Sequence, residues 1–244
     1  MGQKGPTFSD AKFYDYPILA GKTFHRDFST EGISKVGAPL AGAFSRQFSF
    51  KVLPVFEREG LWFSEHLDMS DARFGRAWQI YTESFADYER RTFLEQGTVH
   101  SHPNYRFSAI LDGDAIVGVL ACWSLSGFWL VEHVAIDSRQ RSSGLGSRVI
   151  RLLQEHVKGP IMLDVEPLYA DPHAERRVAF YERLGFHFCG EPVSLPPYEG
   201  KPEAPSHLMA WPHALDAEGR ACAVATIERE VYGLGTCASR ACAV

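Results

Sequence analysis

Residues 74–85 carry apolar side chains at helical spacing. Phe74, Ala77, Trp78, Tyr81 and Phe85 recur so that they fall on one side of a helix. A helix with a single apolar face packs that face against a core. The pattern therefore predicts an amphipathic helix here, preceded by a strand that begins at the segment LWF.

Three segments that follow have the composition of strands. YRFSAIL (105–111) and AIVGVLACWS (115–124) are rich in aliphatic and aromatic residues and flank the turn sequence Asp-Gly-Asp (112–114). FWLVEHVAI (128–136) comes next, after a Ser-Gly pair. The pattern predicts a hairpin that is extended by a third strand.

The second half of the chain alternates helices and strands. Apolar residues at helical spacing mark a helix over 145–157, which ends before a Gly-Pro pair, and AERRVAFYERL marks another over 174–184. Strand patterns stand at IMLDVEP (161–167), FHFCG (186–190) and SHLMAW (206–211). The order β-α-β-β-β-α-β-α-β-β predicts an α/β protein of the α+β type, whose mixed sheet has helices on both faces.

Composition sets the two ends of the chain apart from the predicted main domain. Residues 1–50 contain six Gly and three Pro, which predicts an irregular N-terminal arm. The main domain is predicted over 51–215, and 216–244 is a C-terminal extension. Five cysteines without a CxxC arrangement do not indicate a disulfide framework or a metal site. We therefore expect reduced thiols and no metal.

Charge and hydropathy limit the classes of partner that are expected. The formal net charge is −5 and the sequence pI is about 6.1, without a basic stripe interleaved with aromatics, which argues against a nucleic-acid partner. The apolar runs are far shorter than the roughly 20 residues that cross a bilayer, so no membrane partner is expected. The N-terminus lacks the apolar segment of a signal peptide. We expect a cytoplasmic protein, and a homodimer is left open.

RSSGLGS (141–147) lies between a predicted strand and a predicted helix. No Lys-Ser/Thr pair follows it, as a phosphate loop requires, and it lacks the third glycine of a dinucleotide fingerprint. The backbone N–H groups of R-x-x-G-x-G at a helix N-terminus are suited to hold an anion such as a pyrophosphate. A plain glycine-rich turn is the alternative.

RSSGLG and the later segment FYERLGF, in this order, resemble the motifs of the GNAT superfamily of acyl-CoA-dependent N-acyltransferases. The resemblance covers about residues 60–212. It implies a mixed, mostly antiparallel central sheet with a splayed parallel strand pair, and acetyl-CoA as co-substrate. The pantetheine arm is then expected along Val134, Ala135 and Ile136. The pyrophosphate is expected at the loop residues, which are Arg141, Ser142, Ser143, Gly144, Leu145, Gly146 and Ser147.

One position departs from the family pattern. Many members carry a cofactor-contacting Asn early in the second helix, where this chain has Ala174. Arg176 and Arg177 follow, and Arg177 is a candidate for a phosphate contact. The alternative is that both arginines lie on a solvated helix face.

The resemblance also assigns the chemistry. Tyr181 corresponds to the tyrosine that the family uses as the acid at the sulfur, and the backbone N–H near Val134 is expected to polarise the thioester carbonyl. The base is predicted to be Glu132, because a carboxylate between apolar strand residues is expected to have a raised pKa. By alternation Glu132 shares its face with Leu130 and Val134, and His133 points to the opposite face.

Three alternatives to that base stay open: Asp164 or Glu166 takes the proton, or Glu132 only binds the ammonium of the acceptor. Trp62, Phe63, Trp123, Trp129 and Tyr198 are candidates for pocket walls, and the loop 189–206 for its cover. The function that follows is acetyl transfer from acetyl-CoA to a primary amine of a small molecule or peptide, by direct attack in a ternary complex. A non-catalytic acyl-CoA-binding module and a toxin-like acetyltransferase acting on aminoacyl-tRNA are the alternatives.

Overall fold

The computed structural model describes residues 57–58, 60–141, 143–167, 174–203 and 205–234. The strands are β1 (Glu57–Arg58), β2 (Leu61–Phe63), β3 (Tyr105–Asp112), β4 (Ala115–Leu125), β5 (Phe128–Ile136), β6 (Ile161–Val165), β7 (His187–Phe188), β8 (Val193–Ser194) and β9 (Pro205–Trp211). The helices are α1 (Phe74–Ser84), α2 (Phe93–His100), α3 (Leu145–His156), α4 (Ala174–Glu182) and α5 (Ala217–Glu230). None of the described helices is long and apolar enough to cross a membrane.

The strands form one sheet in the order β1-β2-β3-β4-β5-β6-β9-β7, with β8 paired to β9. Neighbouring strands run antiparallel, except that β5 and β6 are parallel. Because α3 connects β5 to β6, this pair is a β-α-β unit. The predicted fold class, a mostly antiparallel mixed sheet with one parallel pair, is confirmed.

Helices cover both faces of the sheet. The core on one face, which we call face A, includes Phe74 and Tyr81 of α1 and Ile227 of α5. The core on the other face, face B, includes Val149 of α3 and Val178 of α4. Strand β4 is buried along most of its length because both of its faces are covered.

A β-bulge interrupts β5 at Glu132. Ala121 of β4 pairs with His133, whereas Cys122 pairs with Val131, so Glu132 is the extra residue. The bulge shifts the alternation, and Val134 packs on face B. The prediction that Val134 shares a face with Glu132 is therefore wrong. The prediction that His133 points away from Glu132 also fails, since its ring contacts Tyr81 and Phe85 on face A.

Strands β5 and β6 separate directly after this point. Their pairing covers only Trp129–Val131 and Ile161–Leu163. Beyond it, β5 continues to pair with β4 as far as Ile136, and β6 continues to pair with β9 as far as Val165. The separation opens a cleft between two strands that are both held in place on their far sides.

Two helices were not predicted. A capping box begins α2, in which Thr92 and Glu95 satisfy each other's backbone N–H groups. Helix α5 lies in the predicted C-terminal extension, and its Ala223 and Ile227 are buried in the core of face A. Cys122 and Cys189 carry buried free thiols. Cys222 is disulfide-bonded, so reduced thiols were wrongly expected for that residue.

Candidate active site

A cavity of about 270 Å³ lies at the separation of β5 and β6. Two of its sides are formed by residues 130–134 of β5 and by residues 163–165 of β6 with the following Glu166. The segment after α1, the loop between β8 and β9, and α5 complete the walls. The cavity contains the carboxylates of Glu89, Glu132, Asp164 and Glu166, together with Tyr181.

Glu132 is held by four hydrogen bonds. The Arg91 guanidinium donates to both carboxylate oxygens, at 2.5 and 2.6 Å. The Trp123 indole N–H donates to Oε2 at 3.1 Å, and the Tyr198 hydroxyl donates to Oε1 at 3.1 Å. The Arg91 and Glu132 side chains are only 6% and 8% exposed. The carboxylate is thus the centre of a buried polar cluster that joins β4, β5, the segment before α2 and the loop 195–202.

The expectation that Glu132 has a raised pKa is wrong. Burial alone would raise the pKa of its carboxyl group, but the charge and hydrogen bonds of Arg91 outweigh burial and lower it. Because its oxygens already accept four hydrogen bonds, Glu132 is poorly suited to take a proton. Its part in catalysis stays a prediction that this geometry does not favour.

Asp164 has the properties that were expected of Glu132. Its side chain is open to the cavity, whose walls partly remove it from bulk water. This partial desolvation, with the nearby charges of Glu166 and Glu132, raises the pKa of Asp164 to about 6. A carboxylate with such a pKa is mostly ionised at neutral pH and can accept a proton there.

Glu89, Glu166 and Arg177 form a second polar group in the cavity. Arg177 donates to Glu166 at 2.7 Å. Burial and a hydrogen bond with Glu166 raise the pKa of Glu89. The guanidinium of Arg177, which was expected at a phosphate, thus pairs with a cavity carboxylate, and its phosphate contact stays a prediction.

Tyr181 lies in the same cavity on α4. Its ring packs edge-on against Phe180 and Phe186, with centroids 5.1 and 5.6 Å away. Burial raises the pKa of Tyr181 to about 12, although Arg177 opposes the shift. The phenol is therefore protonated at neutral pH and available as a donor. Its assignment as the acid stays a prediction.

The loop before α3 has the backbone expected of an anion site. Gly144 is the N-cap of α3, with φ of 80°, and as a glycine it has no side chain that could cap the helix. A Cβ built on Gly144 would meet no atom within 4 Å, so the approach to the backbone is open. Leu145 points into the core and Gly146 lies against Phe180. The first N–H groups of α3 are suited to a pyrophosphate. Ser142 lies outside the described residues.

Neighbouring contacts fix this loop to the sheet. Arg141 donates from Nε to the Ile136 carbonyl at 3.0 Å and contacts Ser84 Oγ at 3.2 Å. The Ser143 hydroxyl donates to the Gln140 carbonyl at 2.7 Å. Val134, Ala135 and Ile136 border the opening between the strands. The cofactor contacts of all these residues, and of Ser147 at the start of α3, stay predictions.

Few of the aromatic residues proposed as pocket walls reach the cavity. Of the five, Tyr198 lines it, whereas Phe63 and Trp123 are buried in the two cores. Ala174 begins α4 and is fully buried, so it offers no polar contact in place of the family's Asn. The loop between β8 and β9 does line the cavity, through Leu195, Pro196, Pro197, Tyr198 and Pro202.

Several residues in or directly behind the cavity wall were not predicted from the sequence. Arg91 lies 41 positions from Glu132, and nothing in the segment ERRTF sets it apart from its neighbour Arg90. Glu89 was missed for the same reason. Ile227 and Tyr232 come from the C-terminal extension. The apolar spacing within 217–230 was the signal that could have identified α5.

Comparisons with known proteins agree with the fold. Residues 72–186 match the model of the acetyltransferase (GNAT) family. A GNAT-family acetyltransferase from Bacteroides thetaiotaomicron is 31% identical, with a TM-score of 0.65, over 71% of this chain and 99% of that one. No curated protein matches the sequence.

Two further solved structures have lower similarity. The ribosomal-protein-S18-alanine N-acetyltransferase of Escherichia coli is 17% identical, with a TM-score of 0.44, over 65% of this chain and 97% of that one. A GNAT acetyltransferase of Elizabethkingia anophelis, with acetyl-CoA bound, is 11% identical, with a TM-score of 0.42, over 63% of this chain and 98% of that one. The sheet that opens between β5 and β6, the glycine loop before α3 and the match to the Bacteroides protein together show that this chain belongs to the GNAT family of acetyltransferases.

Proposed function

We propose that the protein transfers the acetyl group of acetyl-CoA to a primary amine by direct attack in a ternary complex. The observation that carries this proposal is the cleft between β5 and β6. It brings Asp164, whose pKa is about 6, and the protonated phenol of Tyr181 into one cavity. A carboxylate with this pKa can take a proton from the acceptor ammonium at neutral pH, and a protonated phenol can donate one to the leaving thiolate.

Asp164 accepts a proton from the acceptor ammonium, directly or through one water. The free amine nitrogen then attacks the thioester carbonyl carbon, the C–N bond forms, and the C–S bond breaks. Tyr181 gives its proton to the leaving sulfur, so the products are an amide and the CoA thiol. The tyrosinate recovers a proton from solvent, and Asp164 releases its own. We assign the base to Asp164 rather than Glu132, because Glu132 is hydrogen-bonded on both oxygens.

The chain also offers groups for binding and polarisation. The end of β5, over Val134 to Ile136, borders the opening between the strands and presents backbone donors and acceptors to an extended pantetheine arm. A backbone N–H near Val134 can stabilise the negative charge that develops on the carbonyl oxygen. The N-terminus of α3 supplies N–H groups for the pyrophosphate. These placements support acetyl-CoA as co-substrate.

The acceptor is an amine small enough to enter the cavity, or the end of a peptide. Apolar residues of the loop 195–202 line the same cavity as Asp164 and Glu166. This combination can hold an ammonium by its charge and its carbon chain by packing. A cytoplasmic location, the lack of a nucleic-acid partner and the oligomeric state stay predictions.

Replacing Tyr181 with Phe tests the proposal. The ring packing is retained while the proton donor is lost, so acetyl-CoA affinity stays nearly unchanged and kcat falls by about 10²- to 10⁴-fold. Thiol release measures turnover, and calorimetry measures binding of acetyl-CoA. Phe188→Leu, a change on β7 outside the cavity, is the control and keeps turnover. Equal turnover of Tyr181→Phe and the unmodified protein would refute the assigned acid.

A further inference from the structure

We propose that His133 binds the amine that is to be acetylated, and that its Nδ1 atom accepts a hydrogen bond from the amine nitrogen. This contact presupposes the proposed function, because it lies in the same cavity and involves the same amine. Two observations support it. The Nδ1 atom is buried without a hydrogen-bond partner, and His133 lies on the same face of the sheet as Asp164.

The His133 ring has a fixed orientation and a fixed tautomer. It packs edge-on against Tyr81 and Phe85, with centroids 4.9 and 4.6 Å away. Its Nε2 atom lies 2.8 Å from the Glu89 carbonyl oxygen, which can only accept, so Nε2 carries the proton. Burial lowers the pKa of His133, so the ring is uncharged at neutral pH. Nδ1 is therefore a hydrogen-bond acceptor whose direction is set before a substrate binds.

This Nδ1 atom has no hydrogen-bond partner among the described residues. The His133 side chain is 5% exposed and lines the cavity. Glu132 Oε2 lies 3.9 Å from Nδ1, beyond hydrogen-bond distance, and an ionised carboxylate has no proton to donate. A buried acceptor without a donor is costly. A molecule that enters the cavity and donates a hydrogen bond to Nδ1 removes this cost.

The two faces of the sheet separate the reacting groups. Met162 packs on face A and Leu163 on face B, so by alternation Asp164 points to face A, where His133 also lies. Tyr181 packs on face B, as does helix α3, where the pyrophosphate is expected. The cofactor and the acid thus belong to face B of the cleft. The amine, which must reach Asp164, meets His133 on face A.

One ammonium group can serve both residues of face A. It has three N–H donors. In the proposed reaction one proton passes to Asp164, whereas the N–H that donates to His133 keeps its proton, so His133 neither gains nor loses one. The contact with His133 is made by the bound ammonium and by the attacking amine alike. Its loss is therefore expected to raise the KM of the amine with little change in kcat.

Two substitutions separate the role of Nδ1 from that of Nε2. The amide of Gln reaches as far as Nε2 and can donate to the Glu89 carbonyl, but it leaves no acceptor at the position of Nδ1. The shorter Asn places its carbonyl oxygen near the position of Nδ1 and loses the contact with Glu89. A purely structural role of His133 would therefore be retained better by Gln, and the proposed role better by Asn.

The probe is 2-phenylethylamine, whose ring can pack against the apolar residues of the loop 195–202. With the full chain and acetyl-CoA, thiol release is expected to show a KM about tenfold or more higher for His133→Gln, with kcat within about twofold. His133→Asn is expected to keep KM within about threefold. His187→Gln, which replaces an exposed histidine of β7 outside the cavity, is the control and keeps both constants.

Calorimetry gives a readout that does not need turnover. With CoA present, His133→Gln is expected to weaken binding of 2-phenylethylamine about tenfold, and an unchanged affinity for acetyl-CoA shows that the variants are folded. An amine KM that is equal in all variants, raised equally by Gln and Asn, or raised by Asn alone would overturn the contact and leave the acetyltransferase proposal standing.

The proposed reaction can fail independently of the contact. Amine binding that is weakened by His133→Gln and kept by His133→Asn, without thiol release in any form of the protein, would support the contact and overturn the reaction. Absence of both amine binding and thiol release in the unmodified protein would overturn both.

Discussion

Replacing Arg91 with Met removes one partner of the buried ion pair that holds the cavity wall. Glu132 keeps the hydrogen bonds from Trp123 and Tyr198 but loses two charged donors at 2.5 and 2.6 Å. Methionine fills much of the space of the arginine stem without replacing its charge. The change therefore leaves a carboxylate that is 8% exposed without a cation.

The expected loss of unfolding free energy is about 3–5 kcal/mol, the range for breaking a buried ion pair by removing one partner. Two hydrogen bonds to a charged group contribute roughly 1.5–3 kcal/mol each, and protonation of Glu132 recovers part of their loss. Arg90→Met is the matched control. Arg90 pairs at 3.3 Å with Asp87, whose side chain is 73% exposed, so its loss is expected to cost about 1 kcal/mol or less.

The cost of Arg91→Met depends on pH. In the unmodified protein, Arg91 lowers the pKa of Glu132, so the pair stabilises the fold above the unfolded pKa and loses this effect as the pH falls. Without Arg91, burial outweighs the remaining hydrogen bonds from Trp123 and Tyr198, and the pKa of Glu132 is expected to rise. The folded variant then binds more protons than the unfolded chain above about pH 4.3, and its stability falls as the pH rises. The difference from the unmodified protein is therefore larger at pH 8 than at pH 5.

Urea denaturation at pH 5, 6.5 and 8 measures these differences. The double variant Arg91→Met with Glu132→Gln removes the charge as well and is expected to recover part of the lost stability, because no buried carboxylate remains. A loss below about 1 kcal/mol for Arg91→Met, equal to that of Arg90→Met, would refute the role of the ion pair.

Two further predictions concern glycines. Gly144→Val is expected to weaken acetyl-CoA binding by at least about tenfold, because a branched side chain would stand where the pyrophosphate approaches α3. Gly127→Val in the β4–β5 turn, also at positive φ with open space around it, is the control in calorimetry and is expected to lose stability but not binding. Equal affinities would contradict the anion site. Gly118→Ala is expected to destabilise the fold by about 1–3 kcal/mol in urea denaturation, because its Cβ would collide with the Ala135 carbonyl oxygen. An unchanged denaturation midpoint would contradict the close β4–β5 approach.

The main elements of the fold were predictable because their patterns are local. Apolar residues three and four positions apart indicated α1, α3 and α4, and the Asp-Gly-Asp turn indicated the hairpin of β3 and β4. The loop before α3 was also predictable from local sequence, because a glycine-rich segment directly before a helix pattern is recognisable, and Gly144 there has positive φ. Helix α2 was missed because its apolar residues do not form a clear stripe, and Phe93 and Leu94 are exposed.

The side chains of the site were harder to predict because they depend on tertiary structure. One inserted residue in β5 moves His133 to the face of Glu132, and strict alternation cannot reveal it. The pKa of Glu132 depends on Arg91, which is distant in sequence, and that of Asp164 on the opening between two strands. Glu132 and Asp164 were both recognised as candidates for the base. Predicting which has the higher pKa required knowing where their neighbours lie.

The central claim, that Asp164 accepts the proton of the acceptor amine, is tested most directly by the pH dependence of kcat/KM for Asp164→Asn. The ratio of kcat/KM between the unmodified protein and this variant cancels the titration of the acceptor itself. Because the base must be ionised, this ratio is expected to be about 10²- to 10⁴-fold above pH 7 and to decline below the Asp164 pKa of about 6. Glu132→Gln is expected to keep the decline but to move it to a lower pH, because the charge of Glu132 helps to raise the pKa of Asp164. A ratio near one at every pH for Asp164→Asn, or loss of the decline in Glu132→Gln instead, would contradict the account.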